Sequence, residues 1–185
     1  ELRPHLDPVT LALPAEIVGD GLGHGQAAAV VGIGGRIDDL RIEQYREKAD
    51  PSSPSVVLLS PSGAPEPYYA EFGWLAPAGA QVKAPDWSTD WRIESGSTLT
   101  PETPVTLIYD DGLGHVFRRK YALDKDYLFT IDDSVENKNS AASTLDHRAL
   151  ISRHGTPKIE GFFIQHEGPL GVLGEKGLQE VTYAD

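Results

Sequence analysis

Three histidines, His147, His154 and His166, fall between Asp146 and Glu167 with Glu160 among them, and an imidazole beside a carboxylate is the acid and base pair that opens a sugar ring. Their sequence spacing brings no two of these groups together by itself, and histidines beside turns more often bond backbone or face water. No histidine pair stands at a ligand spacing such as H-x3–5-H, so the same residues make no metal site. Ser152 and His154 are near neighbours, yet a hydrolase serine sits in G-x-S-x-G on a sharp elbow, and that pattern does not occur. The pentad Asp20-Gly21-Leu22-Gly23-His24 returns as Asp111-Gly112-Leu113-Gly114-His115. A calcium loop needs several oxygen ligands at fixed alternation and a distal Glu, so these loops read as turns. Gly32-x-Gly34-Gly35 follows an apolar run, but its spacing is wrong for a dinucleotide loop, and Arg36-Ile37-Asp38-Asp39-Leu40 alternates like a strand. The expectation is no catalytic residue, no metal and no cofactor.

Aromatic side chains carry more weight. Tyr68, Tyr69, Phe72, Trp74, Trp87 and Trp91 cluster in sequence, and such rings can line a cleft that stacks on apolar or sugar-like ligands, although they more often fill a sandwich core. Alternation puts Tyr68, Phe72 and Trp74 on one strand face and Tyr69 on the other. Trp87 and Trp91, flanked by Pro and Ser, and Tyr69 are the cleft candidates.

The elements that must position these residues are short apolar runs separated by turn formers, which suits antiparallel strands better than amphipathic helices. Strands are predicted at Gly35 to Ile42, Ser55 to Leu59, Tyr68 to Trp74, Trp91 to Ile93, Val105 to Tyr109, His115 to Leu123, Tyr127 to Val135, Lys158 to Gln165 and Gly177 to Tyr183. Only Asp38 to Asp50 invites a helical reading. The turns at Asp110-Asp111-Gly112 and Asp124-Lys125-Asp126 make Val105 to Val135 a three-stranded meander. In its second strand Phe117, Arg119, Tyr121 and Leu123 share a face, so Arg119 is either exposed at an edge or paired with a carboxylate.

A chain of 185 residues suffices for one domain of ordinary size. It has 28 acidic and 16 basic residues and a net charge of −12, which offers no basic patch for nucleic acid or anionic lipid. With no cysteine there is no disulfide and no thiolate chemistry. No apolar run reaches the ~18 residues of a membrane helix, and the start lacks a signal-peptide pattern. The chain opens on Glu1 and contains no Met, which reads as a piece excised from a longer protein.

The acidic glycine turn, the Phe-containing return strand, the strand led by Tyr127 and then Val135-Glu136-Asn137 together resemble the large first periplasmic domain of the bacterial membrane insertase family YidC. Gly34-Gly35-Arg36-Ile37-Asp38-Asp39-Leu40 with Tyr45 is similar to the family's early strand, and Ser152-Arg153-His154-Gly155-Thr156-Pro157 through Gly174 resembles its alphaproteobacterial form. The resemblance covers residues 34–185, leaving 1–33 as a weakly matching segment, and the chain stops before the family's last strands.

What it implies is an all-β, antiparallel β-supersandwich of galactose mutarotase type on the periplasmic side of the inner membrane, within a multi-pass protein. The implied role is non-catalytic support of membrane protein insertion, with SecDF and the Sec translocon as partners and nascent membrane proteins reached through the parent protein. By order along the chain, the family's Sec-contact region maps to Leu145 to Asp185, including Lys158, Phe162, Phe163 and Glu167. Two other classes share the fold: a carbohydrate-binding or aldose-epimerising protein, and a free periplasmic chaperone that captures strands at a sheet edge.

Overall fold

The computed structural model describes residues 9–12, 34–37, 40–96, 99–124, 128–155 and 166–183, with the backbone alone at 9–12 and 41–45. Among them every regular element is a β-strand except a three-residue 3-10 turn at Gly174–Lys176. The strands are β1 Val9–Ala12, β2 Leu40–Arg46, β3 Ser55–Leu59, β4 Tyr68–Leu75, β5 Arg92–Ser95, β6 Val105–Asp110, β7 His115–Leu123, β8 Leu128–Asn137, β9 Asp146–Arg153, β10 Leu170–Val172 and β11 Leu178–Glu180. The chain forms two compact units, residues 1–152 and 153–185.

In the first unit the meander is the spine of a five-stranded sheet ordered β1-β8-β7-β6-β5, and the described ladders within it are antiparallel. β7 pairs β6 from Val105↔Tyr121 to Asp110↔Val116, and β8 from His115↔Asn137 to Leu123↔Phe129. Two-stranded pairings β2-β3 and β4-β9 accompany it, and isolated bridges Ile37↔Ala70 and Ser60↔Tyr68 join β4 to the segments before it. The all-β, antiparallel expectation holds and is consistent with a β-sandwich.

The alternation predicted in β7 places Phe117, Arg119, Tyr121 and Leu123 inward, and all four are buried. Phe117, Tyr121 and Leu123 join Phe72 and Trp74 of β4, Val105 and Leu107 of β6, Phe129 and Ile131 of β8, and Trp91 and Leu99 in one hydrophobic core. Burying a side chain of this size stabilises by about 1.5–3 kcal/mol, so this layer is the main reason the sheet holds together.

The helical reading of Asp38 to Asp50 is corrected: Leu40–Arg46 is strand β2, paired with β3 through irregular register around Ile42 and Arg46. Its Arg, Glu and Gln residues favour helix by only tenths of a kcal/mol each, which a partner strand overrides. β9 and β10 were not read from the sequence, because their polar and glycine-rich runs lack clean alternation. The strand predicted at Lys158 to Gln165 lies outside the described residues.

The second unit contains a hairpin of β10 and β11 closed by the Gly174–Lys176 turn, with Leu170↔Glu180 and Val172↔Leu178 in register. Backbone bonds from Val181 N to Pro169 O and from Tyr183 N to Glu167 O extend the pairing beyond both strands. Leu170, Val172, Leu173 and Leu178 are all exposed.

Candidate functional site

Arg119 is fully enclosed at the middle of β7. Ladder register sets it directly opposite Asp133 of β8, and its Nε and Nη2 donate to the two carboxylate oxygens at 2.7 and 2.9 Å. Nη1 donates to the Gly35 carbonyl at 3.0 Å, and the Tyr121 hydroxyl donates to the same oxygen at 2.5 Å. His147 of β9 completes the group, its Nε2 lying 2.7 Å from Asp133 Oδ2 and its ring 4.7 Å edge-on from Trp74. The guanidinium carbon lies 5.1 Å from the Trp91 ring centre and 5.6 Å from that of Phe72, both within cation–π range.

Burial by itself raises the Asp133 carboxyl, and the bonds from His147 and Arg119 outweigh it, holding the group below the ordinary carboxylate range. Burial pushes the Tyr121 hydroxyl above its usual value, so it stays a donor. The sequence left Arg119 either exposed or paired, and pairing is what the structure shows. Gly34 and Gly35, both at positive φ, are needed for the same assembly. A Cβ on Gly35 would stand 3.0 Å from Arg119 Nη1, and one on Gly34 would stand 2.5 Å from the Trp87 carbonyl oxygen. The Gly-Gly pair is therefore a close-approach device, with no phosphate role.

The second cluster lies at the β6–β7 turn. Asp111 accepts from the backbone N–H groups of Leu113 at 2.7 Å, His115 at 2.9 Å and Lys83 at 3.2 Å. His115 Nδ1 is 2.9 Å from Asp111 Oδ2, and its Nε2 is 2.7 Å from the Ser143 hydroxyl. Burial works to raise the Asp111 carboxyl, and the amides of His115, Leu113 and Lys83 together with the imidazole leave it below its ordinary value. Asp, His and Ser thus stand in the order of a hydrolase relay. A relay histidine must also hand a proton to a leaving group, and the His115 ring is wholly enclosed, with no face open to one. The cluster's work is mechanical: together with Asn139, which donates to the Leu113 carbonyl at 2.9 Å, it ties the loop at 137–144 to the turn at 111–115.

Beside that tie runs a groove of about 510 Å3 between residues 77–81 and residues 139–144, with Leu113 at its margin. The sequence singled out the Asp111–His115 turn but not the groove, because Ser143 and Gln81 are distant in sequence and belong to no motif.

Of the aromatic cleft candidates, Trp87 is 63% exposed on its loop, and Tyr69 is half-buried with the Arg36 guanidinium 5.4 Å from its ring centre. Trp91 is corrected: at 4% exposure it is core, held against Arg119. None of the three lines the groove. Of the contact candidates, Glu167 is exposed, while Lys158, Phe162 and Phe163 lie outside the described residues. His147 is engaged by Asp133, a carboxylate that its sequence neighbourhood did not offer. Among the described residues no group of three or more His, Asp or Glu is placed to hold a metal ion, and no helix is long and apolar enough to cross a membrane.

The chain is 53% identical over 150 residues to the membrane protein insertase YidC of Nitrobacter hamburgensis, an overlap of 81% of this chain and 25% of that protein. The insertase YidC of Bradyrhizobium diazoefficiens is also 53% identical over 150 residues, 81% of this chain and 24% of its own length. That of Ruegeria sp. is 47% identical over 154 residues, 82% and 25%. The chain therefore spans about a quarter of the length of these relatives. No solved structure matches it. The model of the YidC periplasmic domain matches residues 28–185, more than four-fifths of the sequence, and the chain belongs to that family.

Proposed function

We propose that the chain is the non-catalytic periplasmic part of a multi-pass inner-membrane insertase, supporting insertion and folding of membrane proteins through contacts with SecDF, the Sec translocon and nascent chains. Membership of the YidC periplasmic domain family is the observation that carries this reading. The enclosed His115 and the engaged His147 support a role by contact. The net charge of −12 argues against direct adhesion to anionic lipid or nucleic acid. The contact surface falls in Leu145 to Asp185, where Glu167 and the apolar side chains of Leu170, Val172 and Leu178 are exposed to a partner.

The test is membrane fractionation of the native organism with an antibody to this domain, followed by alkaline extraction and protease access from the periplasmic side. A much larger, alkali-resistant band trimmed from that face is expected, and a soluble band of the chain's own 20.0 kDa would overturn the reading. An alanine scan at Lys158, Phe162, Phe163 and Glu167 is expected to reduce co-purification with SecDF. Unchanged recovery would remove these residues from the contact.

A further inference from the structure

We propose that the groove between residues 77–81 and 139–144 is a binding site for a short, uncharged, extended stretch of polypeptide from another protein. The first reason is charge. The chain carries 28 acidic and 16 basic residues, yet the lining of this groove includes none of them. A charged ligand would give up its hydration there with no opposite charge to compensate, whereas a neutral chain would not.

The second reason is reach. The walls carry Gly79 and Ala80 on one side and Ala141 and Ala142 on the other, side chains small enough for another backbone to lie close to them. Gly79 stands at φ +81 with no atom within 4 Å of where a Cβ would be, so the wall opens there. The volume, about 510 Å3, falls in the ~300–1,000 Å3 range of small-ligand sites. A few residues of extended chain fit such a space.

The third reason is preorganisation. Peptide groups need both donors and acceptors; Gln81 offers both, and Ser143, whose hydroxyl is engaged by the His115 ring, adds an acceptor oxygen. Ser143 is held by the His115 ring at 2.7 Å, and that ring by Asp111 at 2.9 Å, so the hydroxyl is positioned before any ligand arrives and less ordering is needed on binding. Leu113, exposed at the margin, supplies an apolar contact. A carbohydrate is the poorer occupant, because the lining contains no aromatic ring for a sugar face and no carboxylate for its hydroxyls. The inference deepens the contact role proposed above and rests on that reading for the peptide's origin in a client or partner protein.

The test is an amide-shift titration of the isotope-labelled 185-residue chain with a capped, neutral pentapeptide of alanine, leucine and glycine. Its dilysine counterpart and maltose are titrated in parallel. Saturable shifts at Gly79, Ala80, Ser143 and Thr144 are expected, with the dilysine peptide weaker by roughly tenfold. Ala142→Trp and Ala80→Trp fill the groove from opposite walls at exposed positions, so each is expected to keep a dispersed spectrum while weakening the neutral peptide by a similar factor. No saturable shift at millimolar peptide, shifts confined to other surfaces, or undiminished binding by both filled variants would overturn the site. Saturation of the same amides by maltose in place of peptide would overturn the ligand class. SecDF co-purification reads the contact role separately, so failure of one result leaves the other standing.

Discussion

Arg119 shows how a buried charge is made tolerable. A guanidinium out of water costs several kcal/mol after relaxation, and it persists because Asp133 supplies two acceptors, Gly35 a third, and two aromatic rings the remaining surroundings. Removing the anion leaves the cation uncompensated, so Asp133→Ala is expected to destabilise the fold by about 3–5 kcal/mol, read as a drop in the urea midpoint. A loss below about 1 kcal/mol, the scale of an exposed pair, would mean that water reaches the guanidinium. The face on which Arg119 lies was legible from period-two alternation. Its partner was legible in principle, because the ladder that joins β7 to β8 sets 119 opposite 133, but the register depends on turn geometry that residue types leave open. Gly35 and His147 were not legible as members of this group, since they meet Arg119 and Asp133 only through tertiary packing.

At the scale of elements, β7 is the strand on which the sheet is organised, with nine residues paired to β8 on one side and six to β6 on the other. Its limits were readable because large apolar residues alternate over its whole length between two acidic turns. β9 and β10 were not, since their side chains are largely exposed and alternation then carries no burial signal. The loop after β8 is held from outside itself: the Lys138 amide donates to the Gly114 carbonyl at 2.8 Å, and Ser143 bonds His115. His115→Ala is expected to speed hydrogen exchange at residues 137–144 well beyond any change at the centre of β7. Equal acceleration in both segments would show that His115 supports the whole sheet and has no special hold on the loop.

For the whole molecule, the two enclosed carboxylates set the response to acid. Asp111 and Asp133 are both held below their ordinary value, so their unfolded forms, with pKa about 3.9, take up protons first as pH falls. Their contribution is therefore fully present above that value and is lost as pH drops through the lower folded values. Thermal melts from neutrality to a pH of about 2 should show Tm falling steeply below pH of about 4, with a shallower fall in Asp133→Asn measured against its own neutral-pH value. A parallel fall in both proteins would place the acid sensitivity elsewhere.

The doubly accepting carbonyl of Gly35 has a consequence in time. Its donors on Arg119 and Tyr121 stand 84 and 86 residues later in the chain. At ~5–20 residues per second of synthesis, the Gly35 carbonyl waits roughly 4–17 s before its two side-chain donors have been made. For that interval the Gly35 carbonyl lacks both of the donors that fill it in the folded chain.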